Sequence, residues 1–198
     1  MTTPEQVFTI GHSTRPFAEL VALLRQSGIE TLADIRTIPR SRRHPQFEKD
    51  ALARGLPVVG IRYVHLPGLG GFRRGLDEDS PNKAWRNASF RAYADHMLTP
   101  AFEADLAELR SLAAEGPLAV MCAESVPWRC HRSLLADALV ARGVRVEHVI
   151  GPSAPQPHRI TPFAHVVGER VTYPLPPLAL PLYAVNAPAR EPRSRSRR

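Results

Sequence analysis

The chain has 198 residues, 43% of them apolar, and a formal net charge of +7. That length suits one domain with a tail better than two full domains, and the composition can build a sizeable core. No run approaches the ~18 apolar residues of a membrane span. The start, MTTPEQVFTIGHS, lacks the basic-then-apolar pattern of a secretory leader. A cytoplasmic protein with no membrane partner is therefore expected. Two cysteines, Cys122 and Cys130, are too few for a secreted disulfide framework. The charge is unevenly placed: residues 1–150 hold 19 Lys/Arg and 17 Asp/Glu, a net +2, and residues 151–198 hold 7 Arg and 2 Glu, a net +5. The excess describes the arginine-rich end more than the domain, so it is weak evidence for nucleic-acid binding by the folded part.

Residues 7–11 (VFTIG) read as a short buried strand. Ser13 and Thr14 offer N-cap hydroxyls, Pro16 suits a first turn, and Phe17, Leu20, Val21 and Leu24 mark a helical face that Gly28 closes. Residues 31–35 (TLADI) form a second strand, followed by an arginine-rich loop. Residues 61–66 (IRYVHL) form a third, followed by a turn-rich stretch, 67–82, expected to be mobile. Phe90, Tyr93, Ala94 and Met97 indicate one helix. Phe102, Leu106, Leu109 and Ala113 indicate another, stopped at Gly116-Pro117. Residues 118–122 (LAVMC) make a fourth strand, 131–142 a helix, and 145–150 (RVEHVI) a fifth strand. Strands alternating with helices predict a three-layer α/β domain over 1–165: a mostly parallel sheet of about five strands with helices on both faces. Residues 166–198 read as a Pro/Arg-rich extended or disordered tail.

Ligands of an open parallel sheet bind beyond the carboxyl ends of its strands. The residues just past each strand are polar here: His12 and Ser13, Asp34 and Arg36, His65, and Cys122 and Glu124, with Arg129, Cys130, His131 and Arg132 opening the next helix. That helix start offers free N–H groups, a positive dipole end and two arginines, which suits an anion and lowers the pKa of a nearby thiol. No GxGxxG and no phosphate-loop Lys-Ser/Thr occurs, which excludes a phosphate-loop triphosphatase and a Rossmann NAD enzyme. No cofactor is expected. The spacing of Cys122, Cys130 and His131 matches no standard zinc pattern, so no metal is expected either.

The segments TIGHST (9–14), ADIRTIPRSR (33–42), YVHLPGLGG (63–71), CAESVPWRCHR (122–132) and, more weakly, PHRIT (157–161) resemble those of the domain of unknown function 488 family. The resemblance runs through residues 7–165 in order and spacing. It implies a compact α/β domain with functional residues at these positions, and no particular reaction. Ser125-Val126 is less polar than the family pattern.

The favoured reading is an enzyme on an anionic, phosphate-bearing or nucleic-acid-related substrate. In it Cys122 is the nucleophile or redox group, and His12 or His131 moves protons. Arg36, Arg129 and Arg132 hold the anion, with Glu124 orienting an arginine or acting as base. Ser13, Asp34, Arg40, His65 and Cys130 complete the expected substrate surface. Each has a plainer reading. Cys122 can be a packed strand terminus, Asp34 and Arg36 a structural ion pair, and the arginines at 36, 40, 42 and 43 a solvated loop. The alternative is a non-catalytic nucleic-acid or nucleotide binder that uses the arginine loop and the tail. A third reading makes PLPP (174–177) a polyproline ligand for a partner.

Overall fold

Five parallel strands carry the domain: β1 (Gln6–Gly11), β2 (Thr31–Asp34), β3 (Arg62–His65), β4 (Leu118–Cys122) and β5 (Arg145–Val149). The computed structural model describes residues 5–73 and 78–176. The sheet order is β3-β2-β4-β1-β5, and a two-residue antiparallel strand, β6 (Gln156–Pro157), lies on the edge of β5. The two faces are covered separately. Leu20 and Leu24 of α1 (Phe17–Gln26) and Leu52 and Leu56 of α2 (Lys49–Val58) pack on Ile10, Leu32 and Met121. On the other face lie α3 (Ala88–His96), α4 (Pro100–Glu115) and α5 (Arg132–Ala141). Their Tyr93, Phe102, Leu106, Leu135 and Leu139 meet Val7, Ala33, Val120 and Val146. Successive strand residues face opposite ways, so Leu32 and Ala33, or Val120 and Met121, serve different cores. Strands buried on both sides are mostly apolar; β2 and β4 are fully buried, and the one charged residue in them, Asp34, is paired with Arg36.

The topology places the candidate site. From β1 the chain travels through α1 to β2 and then through α2 to β3, moving one way across one face. From β3 it returns to β4 and passes through α5 to β5, moving the other way across the other face. Right-handed crossovers require that change of face. Neighbouring β1 and β4 therefore send their connections to opposite sides, which opens a crevice beyond their carboxyl ends. Strand register puts Gly11 opposite Cys122, and Asp34 beside both Met121 and His65. The polar residues that the sequence places after each strand do share one edge.

Some local readings change. The N-cap of α1 is Pro16 without a side-chain cap bond, not Ser13 or Thr14. Ser13 adopts φ 50 and turns the chain out of β1 instead. Helix α2 has no counterpart in the sequence reading. Its apolar stripe is only Leu52 and Leu56, and it contains Gly55 and Pro57, so packing on the sheet outweighs weak propensity. Residues 67–71 are packed, not loose. Pro67–Leu69 forms a 3-10 turn, Leu69 is buried, and the Leu69 carbonyl accepts from the Tyr93 hydroxyl at 3.1 Å. The packed chain also passes residue 165, the expected domain boundary. A hairpin of β7 (His165–Val167) and β8 (Arg170–Thr172) delivers Val171 and Tyr173 into the core. Pro177 of the PLPP segment and all of residues 178–198 lie outside the described residues. Among those described, no helix is long and apolar enough to cross a membrane.

Candidate functional site

The β1–β4 ladder continues past the strands. His12 N–H donates to the Cys122 carbonyl at 3.0 Å and Ser13 N–H to the Ala123 carbonyl at 2.9 Å. Gly11 makes this approach possible: a Cβ there would lie 2.6 Å from the Glu124 carbonyl carbon and 2.7 Å from Ser125 Cα. The His12 ring is buried and stacked on Phe47 at 4.3 Å. Its Nδ1 lies 2.9 Å from the Ser13 carbonyl, which can only accept, so Nδ1 carries the proton. Nε2 then accepts from Arg36 Nη1 at 3.0 Å. Burial, with the Arg36 charge adding to it, holds the His12 pKa down at about 4, so the ring is neutral at pH 7. Both its nitrogens are engaged within the protein.

Arg36 makes a two-pronged pair with Asp34, Nε to Oδ1 at 2.8 Å and Nη2 to Oδ2 at 2.6 Å. Nη2 also donates to the Phe47 carbonyl at 2.7 Å. Tyr63 donates its hydroxyl to Asp34 Oδ2 at 2.8 Å, and burial first, then the Asp34 charge, pushes the phenol pKa up. His65 Nε2 donates to the Arg36 carbonyl at 2.9 Å. Asp34 and His65 thus support Arg36 from behind.

A sulfur–imidazole cluster forms where β4 meets α5. Cys122 ends the strand, the 124–129 loop crosses Gly11 with a 3-10 turn at Pro127–Arg129, and Cys130 and His131 precede α5. His131 Nδ1 lies 3.6 Å from Cys130 Sγ and 3.9 Å from Cys122 Sγ. Tyr93 lies against the ring with centroids 5.0 Å apart. Gly71 also packs against the ring: a Cβ there would fall closest to His131 Nδ1 and 2.6 Å from Cγ. Both thiols are free and buried. The hydrogen bond with Cys130, then burial, raises the Cys122 pKa. The bond from Cys122 is the largest influence lowering that of Cys130, with His131 assisting against burial. The three donor atoms lie within 4.8 Å of one another and could hold a metal ion.

Arg132 is 1% exposed and turned inward. Its Nη2 donates to the carbonyls of Glu124 and, at 3.2 Å, Ser125, which locks the loop over Gly11. The loop's backbone is held although its side chains are weakly polar. Behind Arg132 runs a chain of buried polar groups. Asp137 accepts from His158 Nε2 at 2.8 Å and from the Tyr173 hydroxyl at 2.7 Å. His158 Nδ1 lies 2.9 Å from His148 Nε2, and His148 Nδ1 lies 2.7 Å from the Thr9 hydroxyl. Thr9 Oγ1 lies 3.4 Å from Arg132 Nη1. Burial, reinforced by His158, holds the His148 pKa down at about 4. The PHRIT segment contributes His158 to this buried network.

These features border a cleft of about 830 Å³. Of the expected residues, His12, Ser13, Arg36, Arg40, Cys122, Glu124, Arg129, Cys130 and His131 line it, while Asp34, His65 and Arg132 lie outside the lining. Arg40 and Arg129 are exposed, whereas Arg36 and Arg132 are buried on internal acceptors. Arg42 and Arg43 are exposed and not part of the wall. The sequence reading missed His44, from the loop after β2, and Phe72, Asn87 and Phe90, from the segment before α3, its N-cap and its first turn, all of which line the wall. Only Phe72, directly after the double glycine of the YVHLPGLGG segment, carried a local signal.

No curated protein and no solved structure matches the chain. Residues 16–139 match the family described as Domain of unknown function DUF488, a stretch that contains Arg36, the two cysteines and His131 but begins after His12. That match covers more than half of the chain, and the protein belongs to the domain of unknown function DUF488 family.

Proposed function

We propose that the protein is an enzyme acting on an anionic, phosphate-bearing substrate, with Cys122, Cys130 and His131 as its reacting centre. The observation that carries this reading is the meeting of two buried sulfurs and an imidazole at the wall of a large cleft, at the topological switch point. Arg40 and Arg129 are the arginines available to an anion, because Arg36 and Arg132 are committed to internal acceptors. His12 then serves as a neutral acceptor that orients Arg36. Glu124, exposed at the cleft, is the group placed to exchange a proton with solvent. Free thiols suit a reducing, intracellular setting.

The test is turnover of a panel of phosphorylated compounds by wild type, Cys122→Ser and Cys130→Ser, each checked for native thermal unfolding. Loss of turnover in folded variants supports the reading, and turnover retained in both refutes it. A second reading, a nucleotide or nucleic-acid binder without catalysis, draws on exposed Arg40 and Arg129, which share the cleft with Phe72, and on exposed Arg42, Arg43 and Trp128. It requires steeply salt-dependent binding that survives Cys130→Ser and fails in Arg40→Ala/Arg129→Ala.

A further inference from the structure

We infer that Cys122, Cys130 and His131 form a three-ligand site for a thiophilic divalent metal, of which zinc fits best, with the fourth position open to the cleft. The inference deepens the proposed function and rests on it for the cluster's role as the reacting centre. Two sulfurs and an imidazole nitrogen are a zinc donor set, and sites with three protein ligands are the catalytic kind. The nitrogen-to-sulfur spacing agrees. Zinc–sulfur bonds of ~2.3 Å and zinc–nitrogen bonds of ~2.0 Å in a tetrahedron place each sulfur about 3.6 Å from the nitrogen. The observed separations are 3.6 and 3.9 Å, and all three donors lie within 4.8 Å.

The neighbours hold the ligands in place. Tyr93 and Gly71 pack against the His131 ring, so packing alone places Nδ1 at 3.6 and 3.9 Å from the sulfurs, while the buried Nε2 has no hydrogen-bond partner among the described residues. Cys122 and Cys130 are buried, and the cleft wall is where all three ligands reach open space. Among the described residues no further His, Asp or Glu joins the group, which leaves the fourth position to water or a substrate oxygen. Arg129 and Arg40 border the same cleft, positioned for the rest of an anionic substrate.

The sequence concealed the site for two reasons. The ligands come from a strand end and a helix start, a spacing that no zinc pattern uses. Adjacent Cys-His ligands diverge when both are helical, but here Cys130 is extended (φ −133, ψ 148) and only His131 has helical angles (φ −55, ψ −15). The backbone turn between them lets both side chains converge.

The test uses the full chain, reduced with a phosphine, stripped with a chelator and titrated with cobalt(II). A site of this kind gives thiolate-to-cobalt charge-transfer absorption in the near ultraviolet and intense tetrahedral bands in the visible. Both saturate at one metal per chain and are abolished by zinc. Cys122→Ser, Cys130→Ser and His131→Asn should each weaken binding by about 100-fold or more, since even outer-shell changes cost 10–100-fold. Should those variants fail to fold, the wild type still decides: stoichiometric zinc must protect both thiols from iodoacetamide, and chelator must restore their reactivity. A six-coordinate cobalt spectrum, or unprotected thiols in the folded wild type, overturns the metal site. Turnover that is metal-independent but lost in Cys130→Ser would then leave the proposed enzyme standing with a bare thiolate. Absence of turnover with metal bound would instead remove the enzyme reading and keep the site.

Discussion

Replacing Gly71 with alanine should damage the centre far more than the fold. The new Cβ would lie 2.6 Å from His131 Cγ and 3.0 Å from Cε1, so the ring must retreat by several tenths of an ångström or more. The obstacle is a side chain and not backbone, so the ring can rotate. An off-rotamer torsion of that kind costs about 0.5–1.5 kcal/mol. With some lost packing on Tyr93, the stability loss is about 1–2 kcal/mol, or about 2–8 °C in Tm for a domain of this size. The same rotation carries Nδ1 away from sulfurs that it now meets at 3.6 and 3.9 Å, beyond hydrogen-bonding or metal-sharing reach. The assay pairs thermal unfolding with the iodoacetamide rate of Cys130 and with cobalt binding. The expected result is a folded protein with slowed alkylation and weakened metal affinity. A Gly71→Ala protein with wild-type thiol reactivity and wild-type cobalt spectrum would refute the idea that this loop fixes His131.

Asp34→Asn leaves Arg36 buried beside a weaker partner and should cost about 3–5 kcal/mol, whereas the apolar pair Asp34→Leu/Arg36→Met should recover much of it; equal losses in both proteins would contradict this account of the pair. Acid should destabilise the protein through His12 and His148, each held near a pKa of about 4 against an ordinary 6.5. Both native rings are neutral and the unfolded chain binds the extra protons, so their stabilisation is complete above pH 6.5 and is lost as pH falls toward 4. About 1–2 kcal/mol per ring is expected after allowing for residual solvation, and urea unfolding that is flat from pH 7 to pH 4.5 would contradict it. A chain ending at residue 165 lacks Val171 and Tyr173 and should lose about 3 kcal/mol or more relative to one ending at 176, which differential scanning of the two proteins would measure. Arg40→Ala and Arg129→Ala should each raise the KM for a phosphorylated substrate with little change in Tm; an unchanged KM in both would move the anion contact elsewhere.

The sequence by itself determined the layered fold and the edge at which the site lies. Apolar runs such as LAVMC and TLADI, punctuated by glycine and proline, can satisfy their backbone and bury their side chains only as interior parallel strands. Once the strands are placed, their carboxyl ends carry His12, Asp34 and Cys122 to one side of the sheet. Helix α2 escaped because Gly55, Pro57 and only two buried leucines give it little local signal, and the sheet face supplies what propensity lacks. What only the tertiary structure decided is the state of each polar group. Arg36 and Arg132 look like anion ligands until Asp34, Phe47 and the 124–125 carbonyls occupy them. His12 looks like a proton carrier until Ser13 and Arg36 take both its nitrogens. The Cys130 thiol pKa is lowered by its bond with Cys122 and the approach of His131, whose ring packs on Tyr93 and Gly71 from another part of the chain. Hydrophobic periodicity is written locally, residue against residue. Protonation and ligand capacity depend on burial and on partners that only the folded chain brings together.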